Sequence, residues 1–314
     1  MESKRKREAV EETYEQVKQR HEIECFKLQQ GRFVQVLADG QIPSIMTLAS
    51  VRRYYSDVYY TEDDESTNFI SRWIHDGDIR RVNSIAVDPS MVCCDDVYNL
   101  WRPFKAAQMA AVDDGLVAEL TRPIVNYVLN HIANGDAGNA DWILDYMARM
   151  VQFPGSKSEM AIWLYGDERC GKSLLFDFMC DQVLGPYSSL QITDQSLRGN
   201  SAVHRVCVQV HGVKRLHRRI SDLIMLNTLH VRGVDVSVTN LVNVIVTSNN
   251  PPAADDIHIA EYKCTVPGDI DGLRAHLARP EVGRAFYQFL LARPLPSGAG
   301  FRKFMRHSHP RLKD

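Results

Sequence analysis

The most constraining feature of this sequence is an apolar run followed by a glycine-rich loop and a helical pattern, all within residues 161–184. The apolar run ends at Gly166. The positions after it reach Gly171, Lys172 and Ser173 with the spacing Gly-x-x-x-x-Gly-Lys-Ser. Apolar residues then recur at helical spacing until a Gly-Pro pair, which is typical of a helix end. The stretch therefore predicts a buried strand, a tight loop and a helix in direct succession.

This spacing matches the phosphate-binding loop pattern G-x-x-x-x-G-K-[ST], and each fixed position has a mechanical reason. Glycines let backbone N–H groups turn toward phosphate oxygens. Lys172 would place a positive charge on the β- and γ-phosphates of ATP, and the Ser173 hydroxyl would ligate Mg²⁺. The alternative is an ordinary strand–turn–helix that contains this lysine by chance. It is disfavoured because four fixed positions and two flanking elements would all have to match the pattern by coincidence. The predicted ATP-binding residues are Gly166, Asp167, Glu168, Arg169, Cys170, Gly171, Lys172 and Ser173, with Ser173 as the Mg²⁺ ligand.

Composition and charge argue against a uniformly basic surface, a membrane span and a signal peptide. The 37 Lys and Arg residues nearly balance the 39 Asp and Glu residues, so any nucleic-acid contact must come from local basic patches. The seven cysteines form no C-x-x-C pair, and free thiols in a reducing compartment are the default. There is no apolar run near 20 residues and no signal peptide pattern. We therefore expect a soluble, intracellular protein without a membrane partner.

The rest of the chain predicts further elements around the loop. The strongest strand pattern covers residues 242–247 and is followed by Ser-Asn-Asn-Pro-Pro, in which the prolines force the chain out of the sheet. Aromatic residues such as Trp73 and Trp101 could stack on bases, but in apolar segments they are more often core anchors. Helical patterns cover residues 2–30, 116–132, 140–153, 216–226 and 270–291, a second core strand covers 206–210, and a hairpin covers 229–238.

The order of these motifs resembles the helicase domain of superfamily 3, and more closely the primase-helicase proteins of large DNA viruses, phages and plasmids. The similarity covers roughly residues 70–295. It includes Tyr-Asn-Leu-Trp at residues 98–101, the phosphate loop, Arg-Gly-Val-Asp at 232–235, and Val-Thr-Ser-Asn-Asn-Pro at 246–251. The resemblance implies an α/β P-loop NTPase fold of AAA+-like type, with a central parallel sheet and flanking helices, preceded by a mainly helical N-terminal region.

The same resemblance implies a domain division and a set of roles. Residues 1–115 would form an α-rich region with short strands, residues 116–295 the NTPase domain, and residues 296–314 a basic tail. Lys172 and Asn249 would be catalytic, with Asn249 positioning the attacking water. His230 and Arg232 would contact one DNA strand from the hairpin. Implied partners are single-stranded or forked DNA, five further copies in a hexameric ring, and a separate primase or polymerase. Its expected location is the host cytoplasm or nucleus, or a viral replication site.

The sequence departs from the family where the second strand should end in paired carboxylates that hold Mg²⁺ and orient water. Here the strand ends in His211 and Gly212. Asp167, Glu168 or Asp222 could supply the carboxylate in three dimensions, or an error in the gene model around residues 198–222 could have removed it. The arginine that completes a neighbouring site is also unassigned, with Arg274 and Arg279 as candidates.

Three functional hypotheses follow. The first is an ATP-driven DNA-unwinding motor that acts in replication of a virus or mobile element. The second is a hydrolysis-deficient relative that binds nucleotide and assembles with or regulates a replication partner. The third is a P-loop kinase for a small molecule, which is the weakest because the hairpin and the Ser-Asn-Asn sequence at 248–250 would have no role in it.

Overall fold

The computed structural model describes residues 12–29, 31–36, 43–92, 95–196, 202–215, 218–231, 236–252 and 259–295. This part of the chain forms two compact units. The N-terminal unit is built from the described residues up to 86, with residues 95–99 and 236. The second unit is built from residues 87–92, the described residues from 100 to 231, and those from 237 onward.

The described part of the N-terminal unit alternates short helices with short strands. One sheet has four strands in the order β3-β2-β1-β6, in which β1 pairs antiparallel with β2 and parallel with β6. Two further pairs, β4–β5 and β7–β8, are antiparallel and parallel, respectively. The helices are α1 (Tyr14–Glu24), α2 (Leu48–Tyr54) and α3 (Phe69–Trp73). The strands are β1 (Cys25–Leu28), β2 (Phe33–Gln35), β3 (Ser44–Met46), β4 (Tyr59–Glu62), β5 (Glu65–Asn68), β6 (Arg81–Val82), β7 (Ser84–Ala86) and β8 (Val97–Asn99).

This unit corrects the expectation of a mainly helical N-terminal region. Helix α1 begins where the Thr13 hydroxyl accepts from the backbone of Gln16 and the Gln16 side chain accepts from the backbone of Thr13. It ends at Cys25, where the chain turns directly into β1 rather than continuing the helix to residue 30. The other strands have only two to four residues. Strands this short leave too few alternating positions to be predicted from periodicity.

An aromatic cluster forms the core of the N-terminal unit. Trp73 is fully buried and stacks on Phe69, while His21 lies edge-on to Tyr55, Phe69 and Trp73. The indole N–H of Trp73 donates to the carboxylate of Glu22 at 2.9 Å. Trp73 is therefore a core anchor of this unit.

The second unit is organised around a parallel sheet of five strands. The strands are β9 (Ala161–Tyr165), β10 (Ser189–Thr193), β11 (Cys207–His211), β14 (Asn243–Ser248) and β15 (Ile259–Lys263). Their spatial order is β10-β11-β14-β9-β15, and every neighbouring pair is parallel. The three central strands are almost wholly buried, as expected for a parallel sheet covered on both faces. All five carboxyl ends consequently lie at one edge of the sheet.

Helices flank this sheet. Helix α9 packs against α4 and α5, and Pro280 at its first turn separates it from α8, so the helical pattern at 270–291 forms two helices. The helices are α4 (Asp114–Tyr127), α5 (Ala137–Gln152), α6 (Leu174–Phe178), α7 (Arg218–Met225), α8 (Ile270–Leu277) and α9 (Pro280–Ala292). Wider π-helical turns extend α4 over Val128–Ile132 and α6 over Met179–Leu184, and short 3₁₀ turns lie at Ala106–Gln108 and Asp194–Ser196.

The mixed α/β fold with a parallel central sheet and flanking helices is confirmed. The predicted strands at 161–165, 206–210 and 242–247 are present within one residue of those bounds. The hairpin strands are β12 (Thr228–Val231) and β13 (Val236–Thr239), which pair with each other. Strands β10 and β15 are the additional members of the sheet. Among the described residues, no helix combines the length and apolar character needed to span a bilayer.

Candidate functional site

A cleft of about 460 Å³ lies at the carboxyl edge of the parallel sheet. The register places Thr193, His211 and Thr247 side by side, and Ser248 beside Tyr165. The loops that leave β9, β11 and β14 therefore meet at this edge, which is where ligands bind in open α/β sheets. The residues that line the cleft are Arg169, Gly171, Lys172, Ser173, Leu174, Asp177, His211, Gly212, Val213, Lys214, Thr247, Ser248, Asn249, Asn250 and Arg274.

The loop between β9 and α6 has a backbone that requires its two glycines. Gly166 has φ +151° and Gly171 has φ +85°, both in the region that favours glycine. A Cβ on Gly166 would lie 2.8 Å from the backbone oxygen of Cys264, which is too close. A Cβ on Gly171 would lie 3.0 Å from the Tyr127 hydroxyl. The loop conformation thus depends on the residues that the sequence pattern fixes.

Lys172 folds back over this loop. Its ammonium group donates to the backbone oxygens of Gly166 at 3.3 Å and Asp167 at 3.0 Å. The side chain is partly exposed and lines the cleft. Both of its acceptors are neutral carbonyl groups, so its positive charge is available to an anion that enters the cleft.

Tyr127, at the end of α4, stabilises the loop through one hydrogen bond. Its hydroxyl donates to the backbone oxygen of Gly171 at 2.7 Å. Burial raises the pKa of Tyr127, so the phenol is protonated and acts as the donor. Sequence analysis assigned no role to this residue. Only its helical spacing marked it as a buried position.

The end of β14 contributes polar groups to the same cleft. Asn249 is exposed and lines the cleft together with Lys172, as the sequence prediction requires. The buried Ser248 hydroxyl donates to the backbone oxygen of Val213 at 2.6 Å, and the Trp163 indole donates to the backbone oxygen of Asn250 at 3.0 Å. These bonds connect the residues around Asn249 to β9 and to the loop after β11.

The end of β11 carries a histidine where a carboxylate is expected. A ring nitrogen of His211 lies 3.0 Å from the Thr247 hydroxyl on β14. Among the predicted substitutes, Asp167 and Glu168 are exposed, and neither is among the described residues that line the cleft. Asp222 lies on α7, 3.8 Å from Arg218. The substitutes weighed from sequence therefore lie away from the described cleft wall.

A different carboxylate lines the cleft. Asp177, in the first turn of α6, accepts a hydrogen bond from the buried Gln209 amide at 2.9 Å. Burial raises the pKa of the Asp177 carboxyl, while the nearby Ser173 hydroxyl, His211 and the Gln209 hydrogen bond oppose that shift. Sequence analysis missed this residue. Its spacing of four from Ser173 is the signal that could have identified it, since residues i and i+4 share a helix face.

Cationic side chains surround the opening of the cleft. Arg169, Lys214 and Arg274 line it along with Lys172. Arg274 on α8 pairs with Asp271 at 2.7 Å, whereas Arg279 pairs with Glu281 at the start of α9. Of the two arginines weighed from sequence, Arg274 is therefore the one that the fold brings to the cleft. This arrangement favours a ligand with several negative charges.

The hairpin is described only in its two strands. His230 lies on β12 and is exposed. Arg232 lies outside the described residues, as does the basic tail at 302–313. The predicted contact of His230 and Arg232 with DNA remains a prediction.

Comparisons with known proteins support the fold. No protein-family model and no curated protein matches the sequence. Among solved structures, two A-form apo structures of the NrS-1 C-terminal region match with TM-scores of 0.61 and 0.63 at 15% identity, covering 86% and 90% of this chain. A third apo structure of that region matches with a TM-score of 0.60 at 16% identity, covering 85% of this chain. This chain spans 66%, 70% and 65% of those three chains, respectively.

The residues around the cleft fit a nucleotide with its metal. Among the described residues, no group of three or more His, Cys, Asp or Glu side chains could hold a metal ion by itself. Mg²⁺ in nucleotide sites is held by one or two carboxylates together with phosphate oxygens, so a full protein cage is not needed. Ser173 and Asp177 both line the cleft, one helical turn apart, and provide one hydroxyl and one carboxylate. The donor set fits Mg²⁺ on a triphosphate.

Proposed function

We propose that this chain is an ATP-binding, superfamily 3 helicase-like protein that drives DNA unwinding during replication of a virus or mobile element. The observation that carries the proposal is the meeting of two predicted motifs at one cleft. Lys172 follows β9 and Asn249 follows the neighbouring strand β14, and both line that cleft. The spacing of the loop and the order of the sheet support a nucleotide as the ligand.

Each side chain at the cleft has a definite task in this proposal. Backbone N–H groups of the loop would bind phosphate oxygens, and Lys172 would leave its two carbonyl acceptors to bind the β- and γ-phosphates. Asn249 would orient the attacking water. Mg²⁺, when bound, would neutralise charge that develops on the phosphates. Arg274 would add positive charge near the terminal phosphate, from the same chain.

Exposed basic residues on the hairpin and on α7 support the proposed DNA contact. His230 is exposed on one hairpin strand, and Arg218 on α7 is also exposed. Such residues would contact backbone phosphates without reading sequence. We propose single-stranded or forked DNA as the nucleic-acid partner, a homo-hexamer as the assembly, and a separate primase or polymerase as a further partner.

The test is ATP turnover by the purified chain with and without single-stranded DNA, together with displacement of one strand from a forked duplex. The proposal expects turnover that DNA stimulates, loss of that turnover in Lys172→Ala, and strand displacement that requires ATP. Arg53, an exposed basic residue of the N-terminal unit that does not line the cleft, offers the matched control as Arg53→Ala. Absence of nucleotide binding in the wild-type chain would contradict the proposal.

A second candidate is a nucleotide-binding protein that does not hydrolyse ATP but assembles with or regulates a replication partner. The observation that favours it is His211 at the end of β11 in place of a carboxylate. Without a carboxylate to hold the metal and orient water, hydrolysis loses several kcal/mol of transition-state stabilisation. Binding that depends on Lys172, with turnover at background in the presence of DNA, would select this candidate.

A restoration variant separates the two candidates further. His211→Asp puts a carboxylate at the strand end beside Thr247. Gly212 is a poor position for a second acid, because its φ of +70° strains residues with a side chain. If the second candidate holds, His211→Asp should raise turnover above that of the wild-type chain.

A further inference from the structure

ATP hydrolysis at the cleft would require an acidic metal ligand that the second strand does not provide. The strand that should end in acidic residues ends in His211 and Gly212. A neutral imidazole can accept a proton from water but does not replace an anionic ligand for Mg²⁺. If the proposed function holds, a carboxylate must reach the metal position from another element.

Asp177 is that carboxylate by position. It lies one helical turn after Ser173, and both residues line the cleft. Ser173 is the residue whose hydroxyl ligates Mg²⁺ in loops of this pattern. Residues i and i+4 share one face of a helix, so the Asp177 carboxylate lies on the side of a metal bound to Ser173 and can reach it directly or through one water.

Strand β11 holds Asp177 in this position. Gln209 is fully buried, and its amide nitrogen donates to Asp177 at 2.9 Å. The alternation of side chains along a strand directs Gln209 and His211 to the same face of the sheet, toward α6. The second strand thus contributes an amide that orients a carboxylate in place of a carboxylate of its own.

The electrostatic setting of Asp177 agrees with a cation site. The hydrogen-bond donor to its carboxylate, the Gln209 amide, is uncharged. It lines a cleft whose other charged residues are Arg169, Lys172, Lys214 and Arg274, which suit phosphate oxygens. A divalent cation between the carboxylate and the phosphates would compensate the charge of both.

We propose that Asp177 is the metal-positioning carboxylate of this site, transferred from the end of the second strand to the helix after the phosphate loop and oriented by Gln209. This proposal rests on the proposed nucleotide-binding function. It assigns hydrolytic competence to a chain whose second strand lacks acidic residues.

The experiment measures metal binding rather than turnover. Mn²⁺ is titrated against the full chain in the presence of a non-hydrolysable ATP analogue, and free Mn²⁺ is followed by electron paramagnetic resonance. Asp177→Asn keeps an oxygen that can accept from Gln209 but removes the charge. We expect it to weaken Mn²⁺ binding by about 10- to 100-fold. Affinity for the analogue in EDTA should not fall, because no metal is then involved.

Two further variants keep the test specific. Asp181→Asn removes an exposed carboxylate one turn later, which accepts from Gln191 at 3.3 Å, and should bind Mn²⁺ like the wild-type chain. Asp177→Glu retains the charge and should keep most of the affinity. The double variant Asp177→Asn, His211→Asp returns a carboxylate to the strand end and should recover Mn²⁺ binding. Thermal unfolding of each variant checks that it is folded.

The outcomes distinguish a failure of the role of Asp177 from a failure of the proposed function. Mn²⁺ binding by Asp177→Asn that equals wild type, or an equal loss in Asp181→Asn, would overturn the role of Asp177 while nucleotide binding through Lys172 stands. If Asp177→Asn does not fold, Asp177→Ala replaces it as the variant without the carboxylate: weakened Mn²⁺ binding supports the role, and binding equal to wild type overturns it. Failure of the wild-type chain to bind the analogue with or without metal would instead overturn the proposed function itself.

Discussion

Two aspartates, one in each compact unit, differ in the direction of their pKa shift and in the charge of their hydrogen-bond donors. In the N-terminal unit, Asp76 accepts from Lys18 at 2.9 Å and from Tyr14 at 2.6 Å, and these bonds hold its pKa well below the usual range. In the second unit, burial raises the pKa of Asp177, and the Gln209 amide that donates to it is uncharged. One carboxylate already has a cation from the protein. The other faces a cleft in which a cation from solution could serve.

The comparison indicates that one residue type can contribute mainly to stability at one position and mainly to ligand binding at another. Removing a charge that is paired within the fold leaves a partner without its bond and reduces the free energy of unfolding. Removing a charge that faces an open cleft leaves the fold nearly unchanged and alters ligand binding instead. Each variant below is therefore measured both by denaturant unfolding and by nucleotide binding.

The largest expected effect is on the aromatic core around His21. Trp73→Ala removes a fully buried side chain that stacks on Phe69 and donates to Glu22. We expect the free energy of unfolding to fall by about 3–5 kcal/mol. Trp73→Phe should cost less because it retains most of the ring packing. A loss for Trp73→Ala no larger than that for Trp73→Phe would contradict the description of this core.

The next effect is on binding alone. Lys172→Ala removes the cation that we expect to contact the phosphates, and ATP affinity should fall by about 100-fold, or about 3 kcal/mol. The free energy of unfolding should hardly change, because the ammonium bonds only to two carbonyl oxygens of a partly exposed loop. Fluorescence of a labelled nucleotide measures the affinity. A large loss of stability with unchanged affinity would reverse the contrast between the two units.

Acid should weaken the N-terminal unit through His21. Burial lowers the pKa of His21 to about 4, from an ordinary value of 6.5, and the nearby Arg20 acts in the same direction. The unfolded chain therefore binds a proton that the folded chain does not, and stability is lost as the pH falls from about 6.5 to about 4. We expect His21 to account for about 2–3 kcal/mol of this loss. Unfolding of His21→Phe over the same range should show a smaller pH dependence, and an equal dependence would contradict the assignment.

The paired aspartate should have an intermediate effect on stability. Asp76→Asn removes the ion pair with the nearly buried Lys18, and we expect a loss of about 2 kcal/mol at neutral pH. Because the pKa of Asp76 is lowered on folding, this contribution is fully present above the unfolded pKa near 4 and is lost progressively as the pH falls from there through the lower folded pKa. Asp78→Asn is the matched control, since that carboxylate is fully exposed at 4.0 Å from Lys18. Equal losses in the two variants would contradict a special role for Asp76.

The smallest effect should come from Arg274. Arg274→Ala removes one of four cations at the cleft, and ATP affinity should fall by about tenfold, or about 1.4 kcal/mol. Its pairing with Asp271 is exposed, so stability should change little. Arg279→Ala, which removes a comparable exposed pair with Glu281, is the control. A greater loss of affinity in Arg279→Ala would show that the wrong arginine has been placed near the phosphates.

The strands that sequence analysis missed show where periodicity stops being informative. Strand β15 alternates buried and exposed positions at the sheet edge and includes Glu261 and Lys263, so its apolar signal is weak. Strand β10 forms the other edge and carries three polar residues among its five. Edge strands have one sheet neighbour and less apolar burial than central strands. Central strands β9, β11 and β14 are mostly apolar and almost wholly buried, and their bounds were predicted within one residue.

Much of the candidate site was visible in the sequence because local backbone geometry fixes it. Gly166 and Gly171 are needed wherever this loop forms, and Lys172 and Ser173 follow by spacing. The loop pattern does not specify Asp177 or Tyr127. Asp177 lies at the site because one helical turn separates it from Ser173, and Tyr127 belongs to a helix and lies 44 residues before Gly171 in the chain.

By itself the sequence determined the glycine-rich loop, the central strands and the absence of acidic residues after β11, because these are properties of neighbouring residues. The tertiary structure alone decided that Arg274 and Asp177 share one cleft with Lys172 and Asn249. The physical reason is the parallel sheet. It brings the carboxyl ends of strands distant in sequence to a single edge, where side chains from different loops can act on one ligand.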